Sequence, residues 1–254
     1  MSIELIKELR DATGLSVMQC KKALEETNGD IEKALMLLKK KSSDAATKKA
    51  DRDTGAGRVA VASSEGKTAV ITLYCETDFV AKNDDFVALA NDVAAYALTN
   101  GKEVLETNVT ELINPLIQKI GENMKLGQVD ILEGETIGSY IHNGAIAVAV
   151  NLQGGNVDLA KDIAMHISAM KPSYLTKEDV PAEALQKAKE TFGNEVDTSK
   201  PADIQEKILQ GKIDSYFKEQ TLMEQTFIKD PSKSIKQLLS EKNATLTNYV
   251  MHSI

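Results

Sequence analysis

Apolar residues in the first forty positions recur at the spacing of an α-helix, in three runs separated by breaks. Thr13-Gly14 and Asn28-Gly29 form the breaks, Ser16 and Asp30 stand where the following helices need an N-cap, and Gln19 completes a capping box with Ser16. We expect the apolar stripes of these helices to pack into a three-helix bundle over residues 1–40. The residues assigned to the stripes are Leu5, Ile6, Leu9, Met18, Leu24, Ile31, Ala34, Leu35 and Leu38.

Residues 41–57 interrupt this pattern. Lysine, serine, aspartate, alanine and glycine dominate there, and no apolar period is visible. A polar stretch of this kind between two patterned regions predicts a linker, and its lysines are expected to be solvated.

Alternating apolar and polar positions after the linker predict two β-hairpins, each followed by an apolar helix. The helices share the pattern L-A-x-D-[V/I]-A-x-aromatic, beginning at Leu89 in the first copy and at Leu159 in the second. Asn143-Gly144 is a strong signal for the second hairpin, because both central residues of such a turn need positive φ. The repetition predicts two related hairpin-plus-helix subdomains, over residues 58–136 and over residues 137–178 with 223–254.

Residues 179–222 show apolar stripes too narrow for a full core. Leu185, Ala188 and Phe192 form one stripe, a turn over 193–200 follows, and the return stripe contains Ile204, Ile208 and Phe217. This arrangement predicts an antiparallel coiled-coil hairpin that projects from the body. A helix over 232–242 and a strand over 245–251 then return to the second subdomain. The predicted fold class is therefore α+β.

Composition restricts the function. The 254 residues carry a net charge of −8, although residues 1–52 hold 11 basic and 9 acidic side chains. An acidic chain is a poor candidate for direct nucleic-acid binding, since phosphate backbones are bound mainly through Lys and Arg. No apolar run approaches membrane length, no targeting signal opens the chain, and Cys20 and Cys75 lie outside any metal-ligand spacing. We expect a soluble cytoplasmic protein with free thiols.

Catalytic and cofactor motifs are not recognisable in the sequence. The three histidines are far apart, so neither a metal cluster nor a nucleophile–base pair is indicated, and we expect no metal, no cofactor, no direct nucleotide binding and no enzymatic activity. His166 lies in an apolar helical stripe and is predicted to be a core histidine. His142 lies at the tip of the second hairpin, where it is either an ordinary turn residue or a contact residue.

The two copies differ between the last hairpin strand and the helix. The second copy has only residues 153–156 there, whereas the first has residues 75–85. Thr77 or Asp78 can cap the helix that follows, which leaves two interpretations of Phe79. It either faces the core in line with Phe86 or stands exposed at a helix N-terminus as an interaction anchor.

Thr77-Asp78-Phe79-Val80-Ala81-Lys82 resembles the signature loop of the elongation factor Ts family, and the N-terminal helices resemble a ubiquitin-associated bundle. The resemblance extends over nearly the whole chain in family-like order. Further segments that carry it are Arg10-Asp11-Ala12-Thr13-Gly14, Cys20-Lys21-Lys22-Ala23-Leu24, Asn28-Gly29-Asp30-Ile31-Glu32, Lys119-Ile120-Gly121-Glu122-Asn123, Gly138-Ser139-Tyr140, Ala164-Met165-His166 and Asp230-Pro231-Ser232-Lys233.

The resemblance implies a guanine-nucleotide exchange factor for the GTPase elongation factor Tu. It implies that Phe79 acts as a wedge near the Mg²⁺ site of the GTPase and that the bundle docks on the nucleotide domain. Other contact residues implied by the resemblance are Thr77, Asp78, Val80, Arg10, Met18, Lys21, Ile120, Gly121, His142 and Ile228.

Two further expectations follow from the resemblance. The helical hairpin is associated with self-association or extra contacts in the family, which makes it the candidate surface for a homodimer. Some members continue into a C-terminal helical module, whereas this sequence ends at Ile254, and we expect the contacts of that module to be lacking.

The alternative function is a ubiquitin-associated-like adaptor or scaffold without exchange activity, which would account for the bundle but not for the signature loop.

Overall fold

The computed structural model describes residues 2–195 and 201–254, which form two compact units. Unit 1 consists of Met1–Glu133, Ile141–Ala147 and His252–Ile254, and unit 2 of Gly134–Tyr140 and Val148–Met251. Helices and antiparallel sheets occur in separate stretches of the chain, which confirms the predicted α+β class. No helix of the described residues has the length and apolar character needed to cross a bilayer.

Unit 1 begins with the predicted three-helix bundle, formed by α1 (Ile3–Thr13), α2 (Val17–Glu26) and α3 (Ile31–Thr47). Gly14 ends α1 at a φ of 64°, and Ser16 and Gln19 form the expected capping box of α2. The buried core of the bundle consists of Leu9, Leu15, Cys20, Ala23, Leu24, Ala34 and Leu38.

Two predictions about the bundle are wrong in part. Met18 is not in the apolar core but 71% exposed, since α2 turns Cys20, Ala23 and Leu24 inward instead. Leu35 is 37% exposed because the neighbouring turn of α3 buries Ala34 and Leu38.

The predicted linker is also shorter than expected, because α3 continues through Thr47. Ser42 is buried in this extension, and Ala46 packs against the core of the unit's sheet and helices. Tertiary contact with the later helix over Lys102–Ile120 therefore stabilises a polar segment whose sequence has no apolar stripe.

The body of unit 1 is an antiparallel sheet covered by helices. Strands β1 (Ala56–Ser64), β2 (Lys67–Cys75) and β3 (Met124–Glu133) lie in the order β1-β2-β3, and β1 and β2 confirm the first predicted hairpin. Between β2 and β3 come α4 (Asp78–Ala81), α5 (Asp84–Asn100) and α6 (Lys102–Ile120). Helix α5 packs on β1 and β2, while α6 packs on α5 and on α3. Neither α6 nor β3 is predicted by the sequence pattern.

Unit 2 contains most of a second sheet, in the order β4-β5-β6, from β4 (Thr136–His142), β5 (Ile146–Gln153) and β6 (Thr245–Ser253). The Asn143-Gly144 turn has φ values of 50° and 71°, as predicted for this hairpin. Helix α7 (Val157–Met170) follows β5. Gly138 lets β4 approach α7 closely, since a Cβ there would collide with the backbone nitrogen of Lys161.

The rest of unit 2 is helical. The predicted hairpin is formed by α8 (Ala182–Gly193) and α9 (Ala202–Gln220), and α10 (Ile235–Glu241) precedes β6. Ala188, Ile213 and Phe217 are buried where α8 and α9 meet, whereas Leu185 and Ile204 are 36% and 41% exposed, since two packed helices cover only a narrow stripe. Part of the predicted turn, residues 196–200, lies outside the described residues.

Candidate partner-binding surface

The signature loop, Thr77–Lys82, presents an exposed aromatic side chain on a fixed backbone. The Thr77 side chain accepts a hydrogen bond from the Val80 N–H at 3.4 Å, so that Thr77, one of the two predicted candidates, caps the single turn of α4. Val80 and Ala81 are buried and anchor that turn, whereas Phe79 is 82% exposed. The interpretation of Phe79 as a core residue is therefore wrong, and its exposure is confirmed, whereas its role as an interaction anchor stays a prediction.

Hydrogen bonds hold the signature loop against the segment that follows α6. Both oxygens of the Glu122 carboxylate accept from Thr77, Oε1 from the hydroxyl at 2.7 Å and Oε2 from the backbone N–H at 3.1 Å. In the reverse direction, Glu76 Oε1 accepts from the Asn123 backbone N–H at 2.6 Å. Residues 76–77 and residues 122–123 are thus joined by two carboxylates, one contributed by each segment.

Gly121 makes this pairing possible. It ends α6 at a φ of 91°, and its N–H donates to the Ile117 carbonyl at 2.9 Å. The chain leaves the helix through this left-handed residue and reaches Glu122 directly. The structure therefore brings two of the predicted site segments together, Thr77–Val80 and Ile120–Gly121, with Ile120 half-buried beside the core of the unit.

The loop between α1 and α2 lies at the same end of α6. Lys119 Nζ is 3.6 Å from the position of a Cβ at Gly14, and it forms an ion pair with Asp85 at 2.8 Å. Arg10 and Met18 flank this loop in sequence, and both side chains are exposed. Lys21 is exposed on α2 and pairs weakly with Glu25 at 3.8 Å, a distance typical of a solvated helix pair.

His142 occupies the exposed end of β4 in the same unit. Its Nε2 lies 3.3 Å from Asn143 Nδ2, and the carbonyl of Gly144 accepts from the Val59 N–H at 2.9 Å. The hairpin tip is thereby held on β1. A role for His142 in contacting a partner stays a prediction.

Ile228, the last predicted site residue, belongs to unit 2 and is 38% exposed. Its backbone N–H donates to His166 Nδ1 at 3.4 Å, so His166 Nε2 carries the proton and faces Gln225 Oε1 at 3.0 Å. Burial lowers the pKa of His166, which favours this neutral form. The prediction of a core histidine is confirmed, and its ring accepts a hydrogen bond from the backbone of Ile228.

Two groups in or beside the signature loop have shifted pKa values. Burial, followed by the charge of Glu122, raises the pKa of the Cys75 thiol to about 12, so this thiol is not a nucleophile at neutral pH. A hydrogen bond from Lys82 lowers the pKa of Asp78, which leaves a carboxylate beside Phe79. Among residues 2–195 and 201–254, no group of His, Cys, Asp and Glu is arranged to hold a metal ion.

The long-range contacts of two polar residues, Glu122 and His252, are not predicted by the sequence. Glu122 belongs to one of the segments that carry the family resemblance, and a carboxylate directly after a helix-ending glycine can reach a neighbouring loop. His252, near the chain end, is buried, with Nε2 2.7 Å from Asp130 Oδ2 and Nδ1 3.3 Å from Thr72 Oγ1. Its partners are so distant in sequence that no local signal announces them.

Comparisons with known proteins cover both halves of the chain. Residues 76–254 match the family described as "Elongation factor TS", and residues 3–41 match "UBA-like domain". The chain is 40% identical to Elongation factor Ts of Hydrogenovibrio crunogenus and 42% identical to that of Methylococcus capsulatus, in each case over 98% of this chain and 90% of the relative. Identity to Elongation factor Ts of Hahella chejuensis is 39%, over 100% of this chain and 92% of the relative.

Proposed function

Because the chain belongs to the elongation factor Ts family, a family of translation elongation factors, we propose that it is a guanine-nucleotide exchange factor for elongation factor Tu. The observation that carries this proposal is the signature loop, in which Phe79 is 82% exposed on a backbone held by buried neighbours. A large apolar side chain at such a position is suited to enter a partner. The activity takes place in the cytoplasm, where translation proceeds.

The proposed mechanism is thermodynamic linkage. A GTPase holds GDP largely through phosphate-loop amides and Mg²⁺. A partner that binds only when those groups are displaced lowers the affinity for the nucleotide by the same factor by which the nucleotide lowers the affinity for the partner. Phe79 is the wedge of this mechanism near the Mg²⁺ site, with Asp78 and Val80 beside it. GTP or GDP rebinds afterwards and expels the factor.

The remaining site residues extend the proposed interface. Exposed Arg10, Met18 and Lys21 would bring the bundle onto the nucleotide domain of the GTPase. The loop at Gly14, which Arg10 and Met18 flank in sequence, lies beside Lys119 near the C-terminal end of α6, and this supports a surface shared with the signature loop. Further contacts are proposed for Ile120, Gly121, His142 and Ile228.

The first test is the release of a fluorescent GDP analogue from purified elongation factor Tu, with the native chain and with Phe79→Ala. Burying the Phe79 ring in a partner is worth about 2–3 kcal/mol, so we expect the variant to require roughly 30- to 150-fold more factor for the same acceleration. Val104→Ala, at the opposite end of α6 and 43% exposed, is the matched control and should behave like the native chain.

An adaptor of the ubiquitin-associated type is the second candidate, because residues 3–41 match a UBA-like domain. The same experiment separates the two functions. An adaptor would leave GDP release at its spontaneous rate, and native chain that fails to accelerate release while remaining folded would rule out the exchange function.

Self-association through α8 and α9 is a separate proposal. Leu185 and Ile204 leave apolar surface exposed on this hairpin, which a second copy could cover. Light scattering across a concentration series tests it. A mass of one chain at every concentration would contradict a homodimer.

A further inference from the structure

The position of Phe79 depends on the backbone that carries it, because the ring itself is largely solvent-exposed. That backbone is α4, a helix of four residues. One helical turn is not stable by itself, since its nucleation costs more than its hydrogen bonds return. Whatever restrains α4 from outside therefore determines where Phe79 points.

Glu122 supplies the restraint at the N-terminal end of α4. Its two carboxylate oxygens accept from the hydroxyl and the backbone N–H of Thr77, at 2.7 Å and 3.1 Å. The hydroxyl gives its only proton to Glu122, so its lone pairs stay directed at the Val80 N–H, which it caps at 3.4 Å. Glu122 thus fixes the residue before α4 and the orientation of the group that caps it.

A carboxylate satisfies both donors of Thr77 at once, since it offers two acceptor oxygens. An amide of the same size could still accept from the Thr77 N–H, but its NH₂ group would face the hydroxyl, which would then accept instead of donate. The hydroxyl would lose its charged acceptor, and its lone pairs would be shared between the amide and the Val80 N–H. The separate bond from the Asn123 N–H to Glu76 is independent of Glu122 and keeps the two segments adjacent when Glu122 is changed.

We propose that Glu122 is a positioning residue for exchange, which holds α4 so that Phe79 projects in one direction. The consequence for exchange rests on the proposed function, whereas the restraint of the loop does not. Preorganisation of this kind removes an ordering cost from the step in which Phe79 enters its partner. Changing Glu122 should therefore alter the rate of GDP release from the bound complex. It should alter the affinity of the whole interface to a smaller extent.

The first experiment measures the restraint without any partner. The sequence contains no tryptophan, so Phe79→Trp introduces a single fluorescent reporter at an exposed position. We expect time-resolved anisotropy of Trp fluorescence to gain a fast component when Glu122→Gln is added to this background. Glu106→Gln, an equal loss of charge on the exposed side of α6, should leave the decay unchanged. Unchanged anisotropy in the Glu122→Gln protein overturns the proposal.

The second experiment uses the same substitutions with Phe79 intact and follows GDP release from elongation factor Tu. We expect Glu122→Gln to lower the release rate at saturating factor by about tenfold, the effect of losing one charge-assisted hydrogen bond, with a smaller change in the half-saturating concentration. Thr77→Val removes the same bond from the other side together with the cap on the Val80 N–H, so the double variant should be no slower than Thr77→Val alone. Additive losses, or a change confined to the half-saturating concentration, contradict a positioning role. If the native chain itself gives no acceleration, the proposed function fails while the anisotropy result still decides whether Glu122 restrains the loop.

Discussion

Replacing glycine by alanine is expected to lower the stability of the protein at Gly121 and to raise it at Gly211. Gly121 has a φ of 91°, and a Cβ added there would meet no atom within 4 Å. Gly121→Ala therefore introduces backbone strain without crowding. A left-handed conformation costs a residue with a Cβ roughly 1–2 kcal/mol, so we expect the free energy of unfolding to fall by about that amount. Gly211 also has open space around it, but it lies inside α9 at an ordinary helical position. Gly211→Ala should therefore raise stability by roughly 0.5–1 kcal/mol.

A further variant at Gly121 tests whether the loss of stability comes from the positive φ of this residue. The described non-glycine residues with positive φ, three of them asparagines, lie between 44° and 54°, well below 91°. Asparagine tolerates the left-handed region better than alanine, so Gly121→Asn should recover part of the loss but not all of it.

Urea denaturation followed by far-UV circular dichroism measures these variants side by side. Equal stability changes for Gly121→Ala and Gly211→Ala would refute the argument, because the two substitutions differ chiefly in φ. A variant Gly121→Asn that is less stable than Gly121→Ala would refute it as well.

Three further predictions concern packing, protonation and thiol reactivity. Gly138→Ala should destabilise unit 2 by roughly 2–3 kcal/mol in urea denaturation, because its Cβ would collide with the backbone nitrogen of Lys161. Burial lowers the pKa of His166 from the ordinary 6.5, so the unfolded chain binds this proton more readily than the folded chain does. Stability from this residue is complete above pH 6.5 and is lost as the pH falls below it, and denaturation across pH should show a slope that His166→Gln reduces. The pKa of Cys75 is raised to about 12 and the thiol is buried, so a disulfide reagent should react with it only after urea unfolds the protein.

Each of these has a result that would contradict it. Gly138→Ala with native stability would mean that β4 and α7 can separate at no cost. A pH slope that persists in His166→Gln would assign the effect to another group. Rapid modification of Cys75 in the native protein would show that β2 and the signature loop open readily.

Local signals in the sequence predicted much of this fold. Ser16 and Gln19 predict a capping box, and Asn143-Gly144 predicts a turn with two positive φ values. Both features are predictable because they depend only on neighbouring residues. For the same reason the sequence predicts a cap at Thr77 or Asp78, and the structure has it at Thr77. The exposure of Phe79 was undecided, since facing the core and facing solvent require the same local pattern.

Features set by tertiary contact were missed. Helix α6 contains Pro115, which lacks an N–H and interrupts the pattern expected of a continuous helix, yet packing against α3 and α5 maintains it. The contact between buried His252 and half-exposed Asp130 joins residues from distant parts of the sequence. Met18 is apolar at a helical spacing but exposed, because the bundle is too small to cover every apolar side chain.

The length of α3 makes the bundle sensitive to register. This helix of 17 residues begins in the bundle and ends against α6, so no hinge separates the two regions of unit 1. Each residue of an α-helix adds about 100° of rotation and 1.5 Å of rise. One residue inserted near Lys40, beyond the buried bundle core, would turn the bundle about the axis of α3 and carry the loop at Gly14 away from Lys119. In this protein α3 acts as a rigid spacer. Its rotation about its own axis determines which face of the bundle lies beside the signature loop.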